Sequence, residues 1–203
     1  MLPKKSIFET ILSDVFSEDA GASRPSQAPS IAAFSIANPQ DGCYDRCRFE
    51  AGMGTSIHIA AAAPDDYEWS ARLMAASDPW ITLGRDLEGC RAALVRPGTE
   101  LFIARDQGHL SGFILLAAYG LAGSPYIASI AVAAEARGQG VGSQLLRFAD
   151  EHFAGRGHLF LLVSSFNHRA QKLYRQHGYE LVGELKDYVV AGQSELILHK
   201  RLP

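Results

Sequence analysis

Ala128-Ser129-Ile130-Ala131-Val132-Ala133-Ala134-Glu135-Ala136-Arg137-Gly138-Gln139-Gly140-Val141-Gly142-Ser143-Gln144-Leu145-Leu146 joins a strand, a glycine-rich turn and the start of a helix. Ile130 and Val132 give its first part the β-branched apolar character of a buried strand. Gly138, Gly140 and Gly142 then alternate through a turn. Val141, Leu145, Ala149 and Phe153 follow at every fourth position, which places them along one face of a helix. Strand, glycines and helix in that order make an anion cradle, because bare backbone N–H groups and the positive end of a helix converge on one point. Glycines there let an anion come close to the backbone. The first expectation is a site for a cofactor that carries a pyrophosphate.

Spacing decides which cofactor. A Walker loop needs Gly-x-x-x-x-Gly-Lys-Ser/Thr, and no lysine stands between Gly138 and Leu146. A dinucleotide fingerprint needs Gly-x-Gly-x-x-Gly, and Ser143 occupies the third glycine position after Gly138 and Gly140. What remains is Arg137-x-x-Gly140-x-Gly142 between Ile-Ala-Val and Leu-Leu. This resembles the acetyl-CoA-binding motif of the GNAT N-acetyltransferase superfamily, Arg/Gln-x-x-Gly-x-Gly/Ala. A second segment, Asn167-His168-Arg169-Ala170-Gln171-Lys172-Leu173-Tyr174-Arg175-Gln176-His177-Gly178-Tyr179, is similar position for position to the superfamily's Asn-x-x-Ala-x-x-Leu-Tyr-x-x-x-Gly-Phe/Tyr. The resemblance covers roughly Ser56 to Leu202.

The rest of the chain is compatible with that likeness. At 203 residues it allows one domain with an extension, or two small domains. A formal net charge of −3 gives no argument for nucleic-acid or membrane partners, and no apolar run reaches the roughly 18–20 residues of a spanning helix. Glu9 and Asp14 interrupt what would be a secretory apolar region. The three cysteines, Cys43, Cys47 and Cys90, cannot all pair, and Cys43-x-x-x-Cys47 lacks a second ligand pair. Free thiols, a cytoplasmic location and no metal site are the expectations.

Along the chain, Ser6-x-x-Glu9 opens a short helix with Ile7, Ile11, Leu12, Val15 and Phe16 on one face. That face must bury on the body of the domain, on a second subunit to give a homodimer, or on another protein. Residues from Glu18 to Ser30 read as a linker, so 1–54 is expected to be an extension and 55–203 the acetyltransferase domain. From Ser56 the pattern is a strand to Ala60, a helix from Pro64 with Trp69, Leu73 and Ala76 as its buried stripe, and a helix from about Asp86 to Leu94. Two strands, Glu100 to Arg105 and Leu110 to Ala118, form a hairpin around Gly108. Tyr126 to Val132 is the central strand. Leu159 to Val163 is an apolar run of the kind covered on both faces. Asn167 caps the helix that Gly178 ends, and Tyr179 to Val190 pairs with Ser194 to Lys200. The order βααββ followed by βαβαββ predicts an α+β, three-layer domain: a mixed sheet with helices on both faces. The GNAT fold has the same order, and the resemblance adds that its sheet splays between the fourth and fifth strands.

The resemblance also implies roles. Backbone groups of Ile130, Ala131 and Val132 would pair with the pantetheine amides of acetyl-CoA. The N–H groups of Gly138, Gln139, Gly140, Val141, Gly142 and Ser143 would hold the pyrophosphate, with Arg137 adding a phosphate contact. Asn167 reads as a helix cap that could also reach the cofactor. Tyr174 would stand by the sulfur and protonate the departing thiolate as a general acid. A primary amine, on a small molecule or a protein, would attack the thioester directly in a ternary complex, with a backbone N–H near Val132 polarising the carbonyl. Neutralising a lysine-type amine at pH 7 costs roughly 4–5 kcal/mol, whereas an α-amine costs only about 1. Many relatives keep a glutamate on the fourth strand as the base for this step, yet Tyr126 to Ala133 holds no carboxylate. Ser129, Ser164 or Ser165 as relays, and Asp187, Tyr188 or Glu195 on the terminal strands, are the substitutes in view. Trp80 and Arg85, in the region that walls the acceptor cleft of such enzymes, are candidate substrate contacts. The absent carboxylate also keeps a second reading open, a GNAT-fold sensor that holds acyl-CoA without turning it over.

Overall fold

The structure, a computed structural model, describes residues 57–203; the expected N-terminal helix, the linker, Cys43 and Cys47 lie outside the described residues. Seven strands form one sheet: β1 (Ile57–Ala61), β2 (Thr99–Asp106), β3 (His109–Ala117), β4 (Tyr126–Val132), β5 (His158–Ser164), β6 (Glu180–Lys186) and β7 (Ser194–Arg201). Four helices accompany them: α1 (Pro64–Ala75), α2 (Leu87–Leu94), α3 (Val141–His152) and α4 (His168–Gln176). The strand order is β1-β2-β3-β4-β5-β7-β6, with every neighbouring pair antiparallel except β4 and β5. No helix among the described residues is long and apolar enough to cross a membrane.

Each face of the sheet has its own core. Val141, Leu145, Ala149 and Phe153, the every-fourth-residue series, are all at most 3% exposed and pack with Leu159, Leu161, Val163 and Tyr174. On the other face α1 and α2 bury Ala71, Met74, Cys90 and Leu94 against Leu101, Ile103, Phe113 and Leu115. The α1 start is fixed twice by one carboxylate. Asp66 Oδ2 accepts the Ala63 N–H at 2.8 Å, and Asp66 Oδ1 accepts from Arg105 Nη2 on β2 at 2.7 Å.

The sheet is divided along one seam. β4 and β5 pair at Tyr126 with Phe160 and at Ile127 with Leu161, and at no later residue. The expected splay between the fourth and fifth strands is present. β5 runs on in register with β7 as far as Ser164 and Glu195, so the gap opens toward the C-terminal ends of both strands.

Three expectations are corrected. The buried stripe of α1 is Asp66, Ser70, Ala71 and Met74, whereas Trp69 and Leu73 are half-buried and Ala76 lies outside the stripe. Ser70, Ala71 and Met74 pack into the interior, whereas Trp69 and Leu73 line a cleft with the residues that follow β4. The run Leu159–Val163 is covered fully on one face only: Leu159, Leu161 and Val163 are buried, while Phe160 and Leu162 are half-buried. The core under α1 and α2 takes in residues of β2, β3 and β4 and none of β5. The strand expected to reach Val190 stops at Lys186, because Asp187 takes φ +52° and its Oδ1 accepts the Gly192 N–H at 2.6 Å, closing the turn early.

Candidate active site

The loop after β4 is built to leave donors exposed. Gly138 and Gly140 have φ of +84° and +86°, a region that L side chains rarely adopt, and a Cβ on either would meet nothing within 4 Å. Gly140 is the N-cap of α3 and offers no side chain to cap it. The first helical bond runs from the Gln144 N–H to the Gly140 carbonyl at 3.0 Å. Nothing among the described residues accepts from the N–H groups of Val141, Gly142 or Ser143. Three unpartnered donors stand at the positive end of a 12-residue helix, beside the open space at Gly138 and Gly140. Gly142 serves packing as well, because a Cβ there would lie 3.1 Å from Leu173 Cδ2 on α4, a contact that the leucine would have to ease by a few tenths of an ångström. Val141 contributes only backbone, since its side chain is 1% exposed in the core.

Arg137 and Gln139 are exposed and bonded to the backbone of the same loop. Arg137 Nε donates to the Val132 carbonyl at 3.2 Å, and Gln139 Nε2 donates to the Glu135 carbonyl at 2.8 Å. Arg137 also closes one end of a cleft of about 380 Å³ whose far wall is Trp69, Arg72, Leu73 and Ala76 at the end of α1. The residues read in sequence as the core stripe of α1 are therefore the wall of a cleft.

β4 carries a further irregularity. Its register with β3 runs Ile114 to Ile130 and Leu115 to Ser129, then Leu116 to Ile127, so Ala128 is an extra residue in a β-bulge. Bulges leave backbone unpaired and re-aim neighbouring side chains, and they concentrate beside active sites. Beyond the bulge the β5-facing edge of Ile130, Ala131 and Val132 has no strand beside it.

α4 holds the far side of the gap. Asn167 Oδ1 accepts the Ala170 N–H at 3.2 Å, which gives Asn167 its capping role. Gln171, 6% exposed, donates from Nε2 to the carbonyls of Ser164 at 3.1 Å and Ser165 at 2.8 Å, pinning the end of β5 to the helix. One turn on, Tyr174 is 6% exposed and packs edge-on against Tyr179, 5.9 Å between centroids. Its hydroxyl makes no hydrogen bond to any described residue. Burial first, and the neighbouring Tyr126 second, push that hydroxyl well above the usual tyrosine range, so it is held protonated.

The other expected residues are placed as follows. Trp80, 9% exposed, belongs to the core under α1 and α2, which leaves little of its ring for a ligand. Arg85 is half-buried and anchored by its backbone N–H to the Trp80 carbonyl at 3.0 Å. The Tyr126 hydroxyl lies within electrostatic reach of Arg85, Arg96 and Glu195, and burial raises it above the tyrosine range. Sequence reading passed over Tyr126 and Gln171. Tyr126 stands at the first of the two paired positions before the gap, and Gln171 follows Asn167 by one helical turn; that spacing is the signal that could have found it.

Together these elements make a splayed sheet, a glycine loop that presents unpartnered N–H groups, and a buried, protonated tyrosine on α4. A sequence profile of the Acetyltransferase (GNAT) family matches residues 60–179. No curated protein matches the chain. Among solved structures, a GNAT-family protein of Desulfovibrio desulfuricans superposes with a TM-score of 0.61 at 17% identity, over 73% of this chain and 100% of that one. The spermidine N-acetyltransferase of Vibrio cholerae, in complex with CoA and spermine, gives 0.58 at 17% identity, over 71% of this chain and 95% of its own. The aminoglycoside 6'-N-acetyltransferase of Enterococcus faecium gives 0.59 at 16% identity, over 72% and 98%. Those identities speak to the fold alone, and the profile, which spans more than half of the chain, speaks to descent: the chain belongs to the GNAT acetyltransferase family.

Proposed function

We propose that the protein is an acetyl-CoA-dependent N-acetyltransferase that moves an acetyl group to a primary amine in a ternary complex, with residues 55–203 as the acetyltransferase domain and 1–54 as an extension. The observation that carries this reading is the glycine loop: free N–H groups of Val141, Gly142 and Ser143, open space at Gly138 and Gly140, and an unpaired strand edge leading away from them. A pyrophosphate suits the loop and a chain of amides suits the edge. Coenzyme A has both. The chain's likeness to a protein solved with CoA supports the same group.

Bound acetyl-CoA would supply the acetyl group as a thioester. The loop from Gly138 to Ser143 would hold its phosphates, and the edge of Ile130, Ala131 and Val132 would align the pantetheine arm. Arg137, held through Nε to the Val132 carbonyl, keeps its two Nη groups for a phosphate. Tyr174, protonated and without a hydrogen-bond partner, is suited to give its proton to the leaving sulfur. The acceptor class is an amine. Fold neighbours named for spermidine and for an aminoglycoside act on amines, and the cleft between α1 and the loop after β4 offers room beside the gap.

Acetyl-CoA titration by calorimetry, followed by free-thiol release over a panel of polyamines, amino acids, aminoglycosides and peptides, tests this reading. Binding with amine-dependent thiol release is expected. Binding with no release on any amine would favour the sensor reading, to which the carboxylate-free β4 points. No binding would overturn both.

A further inference from the structure

The amine must lose a proton before it attacks, and β4 has no carboxylate to take it. Of the three terminal-strand candidates, Asp187 is spent on its own turn, where its Oδ1 holds the Gly192 N–H. Tyr188 has a hydroxyl that burial raises, which keeps it in the protonated form at neutral pH. Glu195 differs from both. It is 8% exposed on β7, directly opposite Ser164 at the last residue of β5, where β4 has already parted from β5.

Register fixes the direction of its side chain. Leu159, Leu161 and Val163 face α3 and α4, so Ser164 faces the opposite side, and antiparallel partners share a face. The Ser164 hydroxyl donates to Glu195 Oε1 at 2.6 Å. The other oxygen, Oε2, has no hydrogen-bond partner among the described residues, and it is not sealed in the interior. The β6 residue beside Glu195 is Leu185, which is apolar. Tyr126, at the paired end of β4, has a hydroxyl within electrostatic reach of Glu195, of Arg85 before α2 and of Arg96 after it, and it acts in turn on the Tyr174 hydroxyl. No cation among the described residues is bonded to this buried carboxylate. A buried acid in such a place is either a cost to the fold or a tool.

Taking the acetyltransferase reading as its premise, we propose that Glu195, held by Ser164, binds the acceptor's ammonium at the mouth of the gap and is the general base that deprotonates it. The ammonium gives one proton to the free oxygen of Glu195, which becomes the neutral acid. The nitrogen lone pair so exposed forms the C–N bond as the C–S bond breaks. The sulfur takes the Tyr174 proton, the second nitrogen proton returns through solvent to the tyrosinate, and Glu195 releases its own proton to water. Desolvation raises Glu195 above the ordinary carboxylate value of 4.5, and the Ser164 hydrogen bond opposes that rise. A carboxylate raised in this way is a stronger base than one in water, yet it is ionised at neutral pH whenever an ammonium sits beside it.

The test compares wild type with Glu195→Gln and Ser164→Ala. First, carbon-13 NMR of proteins labelled at glutamate carboxyls is expected to give one resonance titrating above the ordinary glutamate range, absent in E195Q and moved to still higher pH in S164A. Second, kcat/KM for the best amine of the panel is expected to be level in wild type between that pH and the amine's own pKa. In E195Q it should fall at least about a hundredfold at pH 7 and climb about tenfold per pH unit up to the amine's pKa, because only neutral amine then reacts. Calorimetric affinity for acetyl-CoA, expected to match wild type in both variants, serves as the fold control. If E195Q keeps the wild-type rate and pH profile while wild type turns over, Glu195 is not the base and the acetyltransferase reading stands. If wild type binds acetyl-CoA but acetylates no amine, both fall. An ordinary Glu195 titration overturns the raised base whatever the rates.

Discussion

Gly112 lies on β3 opposite Val132, in none of the glycine motifs, and its replacement by alanine should disturb the cradle from beneath. A Cβ there would sit 2.8 Å from the Ala131 carbonyl oxygen, 3.1 Å from Val141 Cγ1 and 3.3 Å from Leu145 Cδ1. The first distance is shorter than real Cβ atoms show, and the atom it meets is backbone, which cannot swing away as a side-chain terminus can. Relief requires β4 to shift at Ala131, or α3 to lift at its first residue. Overpacking of a tight core costs about 1–3 kcal/mol, and a backbone clash belongs in the upper half of that range, about 2–3 kcal/mol. For a domain of this size that is a fall of about 5–10 °C in melting temperature. Both shifts move the strand edge and helix end proposed to hold acetyl-CoA, so calorimetric affinity should fall about tenfold or more along with stability. Gly108→Ala is the control: it takes φ +85° in a hairpin with nothing within 4 Å, so it should cost about 1–2 kcal/mol and leave affinity unchanged. A Gly112→Ala protein that melts and binds like wild type would show that β4 and α3 absorb the extra methyl without strain.

Other perturbations separate the parts of the site. Gly140→Glu puts a charge and a strained residue at the N-cap of α3 and should abolish acetyl-CoA binding, which calorimetry would register; wild-type affinity would remove the cradle. Tyr174→Phe should lower turnover about a hundredfold and leave acetyl-CoA affinity near wild type, in a thiol-release assay beside a binding titration. Glu195→Gln should melt above wild type at pH 8: a carboxyl raised in the folded state contributes stability at low pH that is lost as pH rises through 4.5 and beyond, so the gap between the two proteins should close on acidification toward 4.5. Asp66→Ala removes the cap of α1 and leaves Arg105, 30% exposed, without its carboxylate, so a loss of about 3 kcal/mol by denaturant titration is expected.

The sheet and helices were legible in sequence wherever one residue's neighbours in the chain are also its neighbours in space. Tyr126 to Val132 and the face of Val141, Leu145, Ala149 and Phe153 are of that kind. Features that belong to two strands at once were not legible. The bulge at Ala128 is a relation between β3 and β4. The Ser164–Glu195 contact joins residues 31 apart, and only the β5–β7 register brings them together. The stripe of α1 was misread for a related reason. Periodicity finds an apolar face, but it does not say whether sheet or open cleft lies against it, and Trp69 and Leu73 took the cleft. The end of β6 was misread because Asp187, which looks like one more strand residue, spends its carboxylate on a turn.

The short β4–β5 pairing has a mechanical consequence. Two residue pairs are all that join β1–β4 to β5–β7–β6 through the sheet itself, and the helices carry the remaining connection. Among the described residues the sheet is two halves joined by a short seam, and each half contributes one bare edge to the gap. A donor laid along the β4 edge would act as an extra strand, so it should slow hydrogen exchange at Ile130–Val132 and raise the melting temperature in proportion to the logarithm of its concentration. Stability in the free protein and affinity for the donor then draw on the same missing hydrogen bonds. A substitution that zipped β4 and β5 further together would strengthen the fold and shut the site in one stroke.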